Sequence, residues 1–166
     1  YRMNAGYLPP DHWVHGPKGG GRNIGEACHI YDLFVYLTGE KCLEVQAMTI
    51  APAGGQYLGQ DNFVATLGFG DGSVATLTYT ALGSAEHPKE TMEVYLDGKV
   101  LTLANYQSLT VSGTKAAGLA TRDVDKGHRA ELRAFGEAIR TGGPWPIPLW
   151  QQIEATRISL EVEKLL

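Results

Sequence analysis

The sequence predicts an α+β fold in which helices pack on one face of a mostly antiparallel, open sheet. Residue spacings typical of helices occur towards the two ends of the chain. Between them, apolar and polar residues alternate as in strands. Two Asp-Gly pairs, Asp71-Gly72 and Asp97-Gly98, each separate two alternating runs, which is typical of a tight antiparallel hairpin. Because no helix alternates with the strands, parallel βαβ units are not expected. The 166 residues have the length of one domain, and we expect a single domain over 1–166.

The first helix is predicted from Ile24 to Thr38. Residues 1–8 are expected to be extended, and residues 11–22 form a glycine-rich loop before the helix. From Ile24 onward, apolar residues recur at steps of three and four, which is the spacing of one helix face. Gly39 then stands where a glycine commonly ends a helix.

The middle of the chain predicts strands. One strand is expected over residues 42–50, a hairpin over 61–82, and a second hairpin with a further strand over 90–111. Residues 113–126 are polar and contain glycine, so we expect a flexible connection there.

Two amphipathic helices are predicted near the end, on either side of the proline-rich stretch 144–148. The apolar face of the first is made of Leu132, Phe135 and Ile139. The last helix is predicted to pack through the side that carries Ile153, Thr156 and Leu160.

Composition excludes several classes of function. The net charge is −4 and no basic run occurs, so nucleic acid is not an expected partner. No apolar run has the length of a membrane span, so no membrane partner is expected either. Two cysteines are too few for a disulfide framework, which favours a reducing, cytoplasmic setting.

The first predicted helix carries ionisable side chains in its first two turns. Glu26, His29 and Asp32 follow one another at steps of three, so neighbours in this series meet on the helix surface. A histidine has an unperturbed pKa near about 6.5, which suits a general acid or base at neutral pH. We therefore expect His29 to be catalytic, with Asp32 orienting the ring and Glu26 near the helix mouth.

Structural explanations compete with this interpretation. A lone histidine in a helix is more often a structural residue than a catalytic one. Asp32 is compatible with a buried acid that bonds to loop backbone. Arg22 is placed to form a structural pair with Glu26. His12, His15 and Cys28 are metal-ligand types, but no Cys-x-x-Cys pair accompanies them, so no metal site is expected.

An ordered set of short motifs resembles the C-terminal domain of the glucose-fructose oxidoreductase, inositol dehydrogenase and MocA family. The resemblance covers nearly the whole chain, and each motif alone is weak. The motifs are NAG at 4–6, DHW at 11–13, GGGR at 19–22, GEACHIYDL at 25–33 and PIP at 146–148.

The resemblance implies an NAD- or NADP-dependent oxidoreductase that acts on a sugar, a cyclitol or a sugar derivative. It implies that an N-terminal dinucleotide-binding domain holds most of the cofactor, and that the open sheet face mediates homo-oligomer contacts. Within this frame His29 is the expected proton shuttle. The residues expected to line the substrate site are Asn4, His12, Trp13 and Arg22.

Two departures qualify the resemblance. No G-x-G-x-x-G follows a strand, and the lysine motif of the family's dinucleotide-binding domain is missing, so we expect a fragment without that domain, inactive alone. Gly25 stands where many members of the family have an aspartate four residues before the histidine. Two alternatives stay open: a non-catalytic dimerisation or scaffold domain, and a member of the family similar to NAD-dependent glycoside hydrolases.

Overall fold

The computed structural model describes residues 1–166 and contains eight strands and three α-helices, which confirms the α+β class. The strands are β1 (Arg2–Asn4), β2 (Cys42–Thr49), β3 (Phe63–Phe69), β4 (Val74–Thr80), β5 (Glu90–Leu96), β6 (Lys99–Ala104), β7 (Ser108–Ser112) and β8 (Leu119–Ala120). The helices are α1 (Cys28–Thr38), α2 (His128–Thr141) and α3 (Leu149–Leu165), and a π-helix, Asn23–Ala27, leads into α1. Short 3-10 helices lie at Trp13–His15 and Gly59–Asp61.

The chain divides into two compact units. The first unit consists of Tyr1–Lys89 and Trp150–Leu166, and the second unit consists of Glu90–Leu149. The second is therefore a continuous stretch that interrupts the sequence of the first.

The sheet of the first unit has the strand order β2-β3-β4-β1. β2, β3 and β4 pair antiparallel, whereas β1 lies parallel to β4. The predicted hairpin turns at Asp71-Gly72, where Gly72 adopts a φ of +86° that glycine tolerates without strain. Register places Met48 beside Val64 and Val64 beside Thr78, so these three form one row of the open face.

The opposite face of this sheet forms the hydrophobic core with α1 and α3. Its fully buried side chains include Phe63, Leu67 and Leu77 from the strands, Val35 from α1 and Ile158 from α3. Complete burial of each such side chain contributes about 1.5–3 kcal/mol. The prediction that helices cover one face of the sheet is confirmed for this unit.

The first helix begins one residue before its predicted start, and as a π-helix. The Cys28 amide donates to the Asn23 carbonyl, five residues earlier, which is the hydrogen bond that defines a π-turn. The predicted end is confirmed, because Gly39 has a φ of +69° and its amide donates to the Val35 carbonyl.

The last helix packs through a different side from the one predicted. Ile153, Thr156 and Leu160 are exposed, and the buried residues of α3 are Glu154, Ala155, Ile158, Ser159 and Val162. The predicted side was wrong, because the buried side centres on Ala155, Ile158 and Val162 and includes the carboxylate of Glu154.

A carboxylate clamp explains how α3 buries its acid. Glu154 Oε1 accepts from the Cys42 amide at 2.8 Å, and Arg157 Nη2 bridges the Glu154 carboxylate and the Cys42 carbonyl. The hydrogen bonds from Arg157 lower the pKa of Glu154. The clamp therefore fixes α3 to the start of β2.

The second unit is an antiparallel meander in the order β5-β6-β7-β8, followed by α2. The hairpin between β5 and β6 turns at Asp97-Gly98, as predicted, with φ values of +47° and +71°. Part of the predicted flexible connection is ordered as β8, which pairs with β7. α2 forms as predicted, but none of its residues is buried, and Phe135 on its apolar face stacks on Trp145 with ring centroids 5.2 Å apart.

None of the three α-helices combines the length and the apolar composition that crossing a membrane requires.

Candidate functional site

A cluster of charged and phenolic groups surrounds Glu26 at the start of the first helix. Lys89 Nζ donates to Glu26 Oε1 at 2.8 Å, and the Tyr79 hydroxyl donates a short hydrogen bond to Oε2. Arg22 Nε lies 3.7 Å from the same Oε2, and its guanidinium carbon lies 5.6 Å from the centre of the Tyr79 ring. We call these four residues the Glu26 cluster.

The Glu26 cluster keeps its carboxylate ionised. Burial by itself raises the pKa of Glu26, but the hydrogen bonds from Lys89 and Tyr79 and the charges of Lys89 and Arg22 outweigh it, so the pKa is lowered. Burial and the bond to Glu26 raise the pKa of the Tyr79 phenol, which therefore stays protonated and donates. Glu26 thus acts as an anionic acceptor that is already bound by its neighbours.

Sequence reasoning missed Tyr79 and Lys89. Tyr79 lies on the core-facing side of β4, and Lys89 ends a loop 63 residues after Glu26. An aromatic residue with a polar tip at an inward position of a strand was the available signal for Tyr79. No local pattern pointed to Lys89.

His29 is exposed, one turn of helix after Glu26. Asp32 is half-buried one turn further on, so the three predicted catalytic residues lie in the first part of one helix. Cys28 is half-buried between them, and burial raises the pKa of its thiol. Cys28 is therefore a thiol at neutral pH.

The π-helix before His29 is fixed by Asn23, whose side chain is 2% exposed. The Tyr31 hydroxyl donates to Asn23 Oδ1 at 2.8 Å, and Asn23 Nδ2 donates to the Ser159 carbonyl and to Glu163 Oε2. Two elements, α1 and α3, thus hold the segment that carries Glu26. π-turns occur frequently at functional sites, because the extra residue changes the direction of the side chains around it.

Asn4, a predicted substrate residue, is buried under the loop that follows β4. Its Nδ2 donates to the carbonyls of Ser84 and His87. A Cβ on Gly83 would overlap Asn4 Oδ1, so this glycine is needed for the close approach of the loop. Asn4 therefore anchors the loop that ends at Lys89.

The other predicted substrate residues differ in accessibility. Arg22 is 8% exposed, and its Nη2 donates to the carbonyls of Ala5 and Gly6 at 3.1 and 2.9 Å. His12 Nδ1 accepts from the Val14 amide and caps the first 3-10 helix. Trp13 is exposed in the same helix.

A second histidine, His15, makes a hydrogen bond to a carboxylate that the sequence did not indicate. Its Nε2 lies 2.9 Å from Asp61 Oδ2, and its Nδ1 lies 3.1 Å from the Pro9 carbonyl. The pair borders a cavity of about 360 Å³ that Arg22 and Glu163 also line. Both ring nitrogens are engaged, so His15 joins the loop 9–21 to the 3-10 helix that ends at Asp61.

The triple glycine serves the loop itself and does not fit a dinucleotide-phosphate cradle. A Cβ on Gly19 would lie 2.5 Å from the Val14 carbonyl carbon and still closer to other backbone atoms of Val14. Gly20 and Gly21 have φ values of +72° and +77°. The loop follows a 3-10 helix and not a strand, so the described residues do not form the strand-turn-helix that binds a pyrophosphate.

Comparison with known proteins gives one family match. The GFO/IDH/MocA C-terminal domain model matches residues 1–118. No curated protein sequence matches the chain.

Three solved structures illustrate the likeness in fold. The chain is similar to UDP-N-acetylglucosamine 3-dehydrogenase from Acidithiobacillus ferrooxidans, with 19% identity over 99% of this chain and 52% of that chain and a TM-score of 0.72. It is similar to aldose-aldose oxidoreductase from Caulobacter crescentus complexed with glycerol, with 18% identity over 99% and 51% and a TM-score of 0.77. It is also similar to biliverdin reductase from Synechocystis in complex with biliverdin and NADP⁺, with 17% identity over 99% and 53% and a TM-score of 0.69.

At these identities the likeness concerns the fold alone. The chain spans about half the length of each of these proteins.

Proposed function

Since this chain belongs to the GFO/IDH/MocA family, as a C-terminal domain of it, we propose that it is the substrate-binding and catalytic half of an oxidoreductase that uses NAD or NADP. The proposed substrate is a sugar, a cyclitol or a sugar derivative, and His29 is the proposed proton shuttle. The observation that carries the proposal is the exposed imidazole of His29, one turn after the bound carboxylate of Glu26.

The proposed chemistry divides between proton and hydride. When a secondary alcohol becomes a ketone, its carbon loses a hydride and its oxygen loses a proton. His29 takes the hydroxyl proton in that direction and returns one to the carbonyl oxygen in the reverse direction. Asp32 orients the ring. A nicotinamide cofactor, when bound, supplies or accepts the hydride.

The cofactor is proposed to bind mainly to a separate dinucleotide-binding domain. The loop at Gly19–Gly21 is occupied by its own backbone contacts and leaves no phosphate cradle. Solved structures with this fold are about twice as long as the chain, which leaves room for such a domain. The two free cysteines, Cys28 and Cys42, accord with a cytoplasmic location.

The test is a turnover assay on the intact protein that contains this chain. Purified protein is mixed with NAD⁺ or NADP⁺ and a panel of aldoses, uronates and cyclitols, and reduced cofactor is followed by its absorbance. We expect at least one substrate to reduce cofactor, and the chain of residues 1–166 alone to be inactive. If the intact protein reduces neither cofactor with any substrate of the panel, the scaffold alternative replaces the proposal.

The open face of the first sheet is proposed to join two copies of the chain. Its apolar side chains are exposed, among them Met48 at 76% and Val74 at 70%. Multi-angle light scattering is expected to give at least a dimer, and Met48→Lys is expected to shift it towards monomer because the face then carries an unpaired charge. If the wild-type protein remained monomeric at about 100 μM, its self-association would be weaker than that of an ordinary stable interface. That result would contradict the proposed dimer.

A further inference from the structure

We propose that Lys89 binds an anionic group of the substrate, a carboxylate or a phosphate, beside the group that reacts at His29. The inference rests on the proposed function and deepens it, because it assigns a substrate class to the same site. The sequence analysis placed Arg22 among the residues that line the substrate site, but the structure buries its side chain.

The Glu26 cluster carries one surplus positive charge. Lys89 and Arg22 are two cations, and Glu26 is the one carboxylate between them. The chain as a whole has a net charge of −4, so this positive point lies in an acidic protein. Among these four residues, the ammonium of Lys89 is the charge that an approaching anion can meet.

Lys89 presents this surplus charge, and Arg22 does not. The Lys89 side chain is 45% exposed, whereas Arg22 is 8% exposed with its Nη2 engaged by backbone carbonyls. An ammonium has three N–H donors, and Glu26 takes one of them. Two donors of Lys89 remain for a ligand.

The lysine is held in place from both ends. The Asn4 amide donates to the Lys89 carbonyl at 2.7 Å, which ties its backbone to β1, and Glu26 holds the ammonium. Glu26 precedes the exposed His29 by three residues, so the ammonium is bound close in sequence to the proposed proton shuttle. The proposal places a charged substituent of the sugar at Lys89 when the sugar's hydroxyl faces His29.

The test measures binding and does not require turnover. Isothermal titration calorimetry on the intact protein compares neutral glucose and galactose with the matching uronates and 6-phosphates at low ionic strength. At least one charged form is expected to bind about tenfold tighter than its neutral parent, as a charge-assisted hydrogen bond provides. Whether the uronate or the phosphate gains more identifies the source of the anion.

Two substitutions make the assignment specific. In Lys89→Met the advantage of the charged sugar over its neutral parent is expected to fall below about twofold. Lys89→Arg is expected to retain most of the advantage of the charged sugar. The double variant Glu26→Gln/Lys89→Met tests whether Lys89 acts only by neutralising Glu26. If Lys89 binds the anion directly, the double variant shows no preference for charged over neutral sugars.

Several results would overturn the inference. These are equal binding of charged and neutral sugars to the wild type, no binding of any charged sugar, an unchanged preference in Lys89→Met, or a preference restored in the double variant. This binding test can fail independently of the oxidoreductase proposal, since His29→Ala is expected to keep the preference for anionic sugars. A protein that prefers anions but never turns them over would refute only the oxidoreductase.

Discussion

Replacing His29 by alanine is expected to lower kcat of the intact enzyme about 100- to 10,000-fold, the usual contribution of a general acid or base. The substrate hydroxyl then has no positioned group to take its proton, while the contacts around Glu26 stay in place. Because the ring is exposed, we expect the free energy of unfolding to change by no more than about 0.5 kcal/mol. Steady-state kinetics and urea denaturation measure the two quantities.

A matched substitution and a rescue experiment make this result specific. His128→Ala removes the same side chain from an exposed position on α2 and is expected to leave kcat within about twofold, as surface changes do. Added imidazole is expected to restore part of the activity of His29→Ala, which a purely structural residue would not permit. An unchanged kcat in His29→Ala with cofactor bound would end the proton-shuttle hypothesis.

Gly19→Ala is expected to destabilise the first unit by about 3 kcal/mol, at the upper end of the cost of overpacking. The added methyl would overlap the Val14 backbone, and backbone cannot move aside as a side chain can. Urea denaturation followed by circular dichroism measures the loss.

Two other glycines provide controls for this experiment. Gly21→Ala meets no atom within 4 Å but must adopt a φ of +77°, which costs about 1–2 kcal/mol. Gly136→Ala, in the open interior of α2, is expected to stabilise its helix by about 0.5–1 kcal/mol. If Gly19→Ala instead kept wild-type stability and only raised KM, the glycine would serve ligand approach and not loop packing.

Local chemistry made much of the fold predictable. The two Asp-Gly hairpins and the glycine that ends α1 are residues whose backbone angles few others adopt, so sequence alone located them. The alternating apolar pattern located the strand β3, and its side chains Phe63 and Leu67 are buried in the core.

Features that depend on distant partners were not predictable. The buried side of α3 depends on Arg157 and on the Cys42 backbone, which together make a buried Glu154 acceptable. The π-turn depends on Asn23 and its partners on α3, and no residue spacing distinguishes it from an α-turn. Lys89 joins the site from a loop, so its role emerges only in three dimensions.

The interrupted course of the first unit bears on how the protein is made. Residues 90–149 leave the ribosome as one uninterrupted stretch. All residues of the second unit are therefore available before the whole of α3 has been made. The segment 1–89 waits until α3 has emerged, because Ile158 and Val162 complete its core and Ser159 accepts from Asn23. Until the 17 residues of α3 have left the exit tunnel, the helix that carries His29 lacks one of its packing partners.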